Sequence, residues 1–138
     1  MKQLHPDEGL PVWMQRLIAG DLIYHLYTSS VTLDYATVVA DLSPTEAAWA
    51  GYAAITISGG FGTTGIIGHM AYATQADIVF SNTSAIPVAA YGYWVEDGVT
   101  GKILQCGQFD GAPVTLIALV GTLNVTPFLG DFSRFIAE

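Results

Sequence analysis

Charge is what this sequence has least of. Charged residues make up 12% of its 138 positions, against about 25% in an average soluble domain. Four basic residues, Lys2, Arg16, Lys102 and Arg134, have to serve the whole chain. Binding to nucleic acid rests on clusters of Lys and Arg, which are missing here, and the formal net charge of −8 repels phosphate. Anionic membrane surfaces are disfavoured for the same reason. No apolar run approaches the roughly 18 to 20 residues of a membrane-spanning helix. The opening residues, with His5, Pro6, Asp7 and Glu8 soon after Lys2, do not read as a signal peptide, so folding in the cytoplasm is expected.

Cysteine is nearly as scarce. A lone Cys106 excludes an internal disulfide, and its strand-like setting, KILQCGQF, points to a buried or half-buried small side chain. A nucleophilic thiol would need a lowered pKa and a partner base, and no spacing here supplies either. His5, His25 and His69 form no i, i+4 pair and no ligand spacing, so no metal is expected, and His25 reads as a structural residue within a strand. The twelve carboxylates are spread singly apart from Asp7-Glu8 and Glu96-Asp97, the latter at a hairpin tip. No nucleophile elbow occurs. GFGTTG satisfies G-x-G-x-x-G at Gly60, Gly62 and Gly65, but too little chain follows for two mononucleotide halves, and Asp77 would precede its strand rather than end it. No catalytic residue and no cofactor are therefore expected. The sequons at Asn82 and Asn124 read as ordinary strand and turn residues outside a secretory context.

Apolar and aromatic residues are what the chain does have: 51% hydrophobic positions, three tryptophans and seven tyrosines. A folded chain of this size exposes on the order of 7,000 Å², which so few charges cover thinly, so part of the surface is expected to meet other protein. The length suits one domain with a real core.

Residues 10–19, LPVWMQRLIA, carry Leu10, Trp13, Met14, Leu17 and Ile18 at helical spacing, with Pro11 near the start and Gly20 past the end. Residues 1–9 form a polar arm before this helix. A first strand is expected over 22–28, and a loop over 29–41. SPTEAAWAGY, 43–52, then reads as a complete short helix: Ser43 as cap, Pro44 at the first position, Glu46 reaching back, Gly51 as stop. Further strands are expected over 52–58, 69–74, 77–81, 114–119 and 122–128, with glycines breaking regular structure over 59–68. The 69–74 segment could also be helical. The clearest signal is the hairpin PVAAYGYWVEDGVTGKILQCGQF, 87–109, whose Asp97-Gly98 and Gly101 suit positive-φ loop positions. Tyr91, Tyr93 and Val95 should share one face and Trp94 the other, with both faces covered. Seven or eight short strands and two short helices make an antiparallel β-sandwich of the jelly-roll kind. The tail from Phe128 is apolar enough to need a dock, on its own core or on a neighbour.

The order of these segments resembles small tailed-bacteriophage virion proteins, including jelly-roll capsid decoration or cement proteins. It resembles them in an N-terminal helix, LIYHLYTSSVTL, LSPTEAAWAGY leading into a strand, the YGYWVEDGVTGKILQCGQF hairpin and the closing LNVTPF, about three quarters of the chain. The resemblance implies a structural protein without chemistry, on the outside of the virion, clamping major capsid protein subunits and assembling with itself, as a trimer first and a dimer second. On that reading Leu10, Trp13, Leu17, Phe128, Phe132, Phe135 and Ile136 are the expected interface. Trp49 is the expected plug that closes one end of the sandwich. A head-fibre or tail component with receptor or carbohydrate binding is the alternative, and a small ligand-binding or catalytic sandwich the third possibility.

Overall fold

The architecture is taken from a computed structural model that describes residues 8–58, 63–68 and 70–130. Helix α1, Leu10–Ile18, starts with Pro11 in its first turn and carries Arg16 in its last, next to the negative end of the helix dipole. Leu10, Met14 and Ile18 recur every four residues and form its buried stripe, packed over β3 and β4 below. Strand β1, Leu22–Tyr27, follows, then helix α2, Val39–Leu42, and a single 3-10 turn, Ser43–Thr45. The remaining strands are β2, Ile55–Ile57; β3, Thr63–Ile67; β4, Met70–Thr74; β5, Ile78–Asn82; β6, Val88–Ala90; β7, Gly92–Asp97; β8, Ile103–Gln108; β9, Val114–Leu116; β10, Gly121–Val125; and β11, Phe128–Gly130.

Every pairing is antiparallel. One four-stranded sheet runs β2-β1-β7-β8, a three-stranded sheet runs β11-β4-β3, and β10-β5 and β6-β9 form two ribbons. The fold is mainly β with two short helices, as the strand signals indicate. Alternation along β1 sets the layers. Leu22, Tyr24 and Leu26 face the main core, together with Val95 of β7, α1, and Ala71, Ala73, Phe80, Val125 and Leu129 from β4, β5, β10 and β11. Tyr27 faces the other way, where Tyr27, Trp94 and Leu42 make a second small core with Val31, Leu33, Tyr91, Ile103 and Cys106 around it. The four-stranded sheet is thus covered on both faces, as its bulky side chains on both sides require. Tyr91 lies with Trp94 rather than with Tyr93, because it precedes β7 and pairs through its backbone with Tyr27 and Phe109.

Three expectations need correction. SPTEAAWAGY is not a helix: the helical turn comes earlier, at Val39–Leu42, where the Asp41 carboxylate accepts the Val38 N–H at 2.9 Å. After the 3-10 turn, the chain from Glu46 is pulled into an extended path instead. Glu46 bridges Tyr27, the Thr28 N–H donates to the Thr45 carbonyl at 2.8 Å and the Ala47 N–H to the Leu26 carbonyl at 2.9 Å. Tertiary pairing with β1 outweighs the local helix signal. The glycine-rich segment continues as strand β3 from Thr63, and 70–74 is the strand β4 that pairs with it, not a helix. At the hairpin, Gly101 takes the positive φ, 69°, whereas Gly98 serves close approach, with its N–H donating to the Asp21 carbonyl. The start of the tail takes one of the two docks expected of it: it forms strand β11, with Leu129 buried against the chain's own core.

These packings rank two side chains. Leu42 is fully buried in the second core, whereas Trp49 is half-buried, its indole N–H donating to the Ser81 carbonyl at 2.9 Å. Leu42→Ala is expected to cost about 2 to 5 kcal/mol. Trp49→Ala should cost less, about 1 to 3 kcal/mol, since part of the ring already meets water. Urea melts of the two variants check the ranking, and a larger loss for Trp49→Ala would return it to the role of plug.

Candidate interaction surface

Two constellations of side chains stand out, one polar and one apolar. The polar one lies on the outer face of the four-stranded sheet. His25 sits directly across from Trp94 in the β1–β7 register, and the rings stack at 4.5 Å and 8°. Its Nδ1 is 2.8 Å from Glu46 Oε2, and its Nε2 faces Glu96 Oε2 at 3.0 Å, close enough for charge attraction but off the hydrogen-bond direction. Tyr52 donates to the same Glu46 oxygen at 2.9 Å while accepting from the Leu26 N–H at 3.1 Å. Glu46, read from the sequence as half of a capping box, is therefore the bracket that ties the 45–52 segment onto β1.

Burial pushes the Tyr52 hydroxyl well above the ordinary phenol range, against the lowering effect of the Leu26 N–H and with help from Glu46, so it stays protonated. Burial likewise raises the Cys106 thiol. Among the described residues no three His, Cys, Asp or Glu side chains are placed to hold a metal ion.

The apolar constellation is at one end of the sandwich. Gly121 pairs with Asn82 where β10 meets β5, and Val88 pairs with Leu116 where β6 meets β9, so both ribbons end together. Their connections, 83–87 and 117–120, are bound to each other by Asn82. Its side chain is fully buried, and the Nδ2 group donates to the carbonyls of Ile86 (3.0 Å), Ile117 (3.0 Å) and Leu116 (3.3 Å). An amide nitrogen has two hydrogens, so three acceptors share them. The Oδ1 atom accepts from both the N–H and the hydroxyl of Ser84. The Leu119 N–H completes the knot by donating to the Ser84 carbonyl at 2.9 Å. From the side, the Ala50 carbonyl accepts the Thr83 N–H.

What this knot presents is apolar. Ile86, Ile117, Leu119 and Val120 are 66%, 60%, 62% and 74% exposed, although each is a residue type that normally seeks the interior. Leu119 has a φ of 70°, and the Val120 N–H donates back to the Ala118 carbonyl at 2.8 Å, which is the strained form of the three-residue turn. A left-handed backbone costs a non-glycine residue roughly 1 to 2 kcal/mol. Gly121 makes the turn possible: a Cβ there would lie 2.4 Å from the Ile117 carbonyl oxygen. Leu119 is thus held outward on a strained backbone and not by burial of its side chain.

The residues expected from the sequence fall elsewhere. Leu10 is fully buried in the chain's own core, which corrects its assignment to an interface. Leu17 is half-buried against that core. Phe128 is nearly half exposed and stacks on Tyr72 at 5.8 Å. The Trp13 side chain and Phe132, Phe135 and Ile136 lie outside the described residues. Trp49, half-buried against the main core, packs edge-on to Tyr52 and donates to the Ser81 carbonyl. Asn82, Ile86, Ile117, Leu119 and Val120 escape a reading by periodicity, because VTLIAL looks like continuous strand. The Asn-x-Ser turn signature and the following Ile-Pro were the available signal.

Three outcomes follow. Asn82→Ala should cost about 2 to 4 kcal/mol in denaturant melts, since it removes a fully buried amide that donates to three carbonyls and accepts from Ser84. Leu119→Gly should stay within about 1 kcal/mol of the parent, strain relief offsetting the added chain entropy. Alkylation of Cys106 should show a pH midpoint above that of a free thiol, about 8.5; a midpoint at or below it would mean an activated cysteine.

Comparison with protein-family models, curated proteins and solved structures finds no match to this chain.

Proposed function

We propose that the chain is a structural, non-catalytic component of a larger protein assembly, and that the assembly is the shell of a tailed bacteriophage. The observation that carries the first half is the tip: four large apolar side chains held outward by a fully buried asparagine, one of them on a strained turn. An exposed apolar cluster of this kind is what an interaction surface offers. The scarcity of charge over the rest of the chain fits a protein that lives among neighbours. The second half rests on the resemblance of segment order to capsid decoration proteins, with major capsid protein subunits and further copies of the chain as its partners.

The test is the copy number of the chain in purified particles from its source, by quantitative mass spectrometry against the most abundant shell protein. A fixed ratio corresponding to hundreds of copies is expected. A handful of copies would move the chain to a fibre or tail, and its absence from particles would overturn the virion reading.

A further inference from the structure

We infer that the tip is a self-association surface, on which Ile86, Ile117, Leu119 and Val120 of one copy pack against the same residues of a second copy. The inference deepens the proposed function and rests on the reading of the tip as an interaction surface, but not on the phage assignment.

The segments that meet at the tip are long and uncharged: residues 47–58, 78–95 and 111–130 contain no Asp, Glu, Lys or Arg. Asp77, the nearest charge before β5, lies at the opposite end of that strand, bonded to the Thr126 hydroxyl at 2.6 Å. Five residues of strand put it about 16 Å from Asn82 at roughly 3.3 Å per residue, beyond the Debye length of about 8 Å at physiological salt. The tip is thus a neutral end on a chain of net charge −8.

That neutrality selects the partner. With twelve acidic and four basic residues, two copies brought together through a charged face would oppose carboxylate to carboxylate. At the tip they meet without opposing charges. A contact about a two-fold axis also requires a surface complementary to itself, which an apolar cluster is and an acidic one is not. The Asn82 knot and the strained Leu119 turn hold the side chains in place beforehand, which removes much of the ordering cost of association. Four side chains supply less than the roughly 800 Å² per partner of a standard stable interface, so the expected association is weak and concentration-dependent.

Sedimentation velocity over a hundredfold concentration range tests this with the full chain. The weight-average mass should rise from the monomer's 14.6 kDa toward twice that value. Raising the salt from 50 mM to 500 mM should strengthen association, because the repulsion between the two acidic bodies is screened while the apolar contact is not. Val120→Asp and Ile117→Asp should each weaken association at least tenfold. Both side chains are largely exposed, and unchanged thermal melts will confirm folding. Leu119→Gly, which removes the side chain without disfavouring the turn, should also weaken it.

A chain that stays monomeric throughout would overturn the inference. So would aspartate variants that associate like the parent, or association that salt weakens, which would indicate pairing of opposite charges. Loss of the Val120→Asp variant from particles, with the parent monomeric in solution, would place the shell rather than a second copy on the tip. Tip-dependent self-association of a chain missing from particles would uphold the inference and remove only the phage assignment.

Discussion

The side chain of Asn82 holds together the end of the molecule that its neighbours would see. A buried amide that donates to three carbonyls and accepts from Ser84 turns two separate ribbons, β10-β5 and β6-β9, into one rigid tip. Without it the 83–87 and 117–120 connections would lose the amide that bonds to both, although the Ile117 carbonyl also accepts from the Gly121 N–H and the Ile86 carbonyl from the Ser84 hydroxyl. With it, apolar residues can be held in water on a strained turn. An apolar core residue at position 82 could fill the space but could not bind carbonyls from both loops, so the polar group here confers definition as well as stability.

The second organising element is the sheet β2-β1-β7-β8, whose two faces are used differently. One face is half of the main core. The other carries Tyr27, Trp94 and Leu42, and beside them the stack of His25 on Trp94 with a glutamate at each side of the ring. His25, Glu46 and Glu96 come from β1, the 45–52 segment and β7, so a single imidazole ties three stretches of chain that are far apart in sequence. Polar residues at the margin of an apolar patch select one arrangement of the covering segment over others that would bury a similar area. This is why Glu46 and Ala47 lie along β1 although the residues around them, taken alone, spell a helix.

The parts of the fold that were legible in the sequence are those decided by local signals. Helix α1 follows from apolar spacing with Pro11 and Gly20 at its ends, and the β7–β8 hairpin from alternation on both sides of EDGVTGK. The parts that were not legible are decided by pairing across long separations. Glu46 gives up a cap for a bridge with Tyr27, and TTGII becomes strand because Gly65 lets the Tyr72 ring of β4 lie across it. Phe128–Gly130, read as an interface tail, is an edge strand on β4. At the tip, the turn chemistry of Asn-Thr-Ser was visible, but the three carbonyls that Asn82 would serve lie on residues 86, 116 and 117, and no periodicity announces such a convergence.

Charge and apolar exposure are separated along the molecule, and that separation links the composition to the proposed role. Asp21, Asp41, Glu46, Glu96 and Asp97 cluster in sequence around β1, α2 and the β7–β8 hairpin, while the three segments that reach the tip carry none. At the hairpin, the Thr100 hydroxyl and N–H hold the Asp97 carboxyl below its usual range, so this charge persists as pH falls and ties the turn to solvent. A chain with many charges spread evenly could not keep one end neutral, and a chain with none would not stay soluble while waiting for a partner. Twelve acidic residues spread over the rest of the chain but absent from the three segments that reach the tip achieve both, which ties the low charge content to the apolar end proposed as an interaction surface.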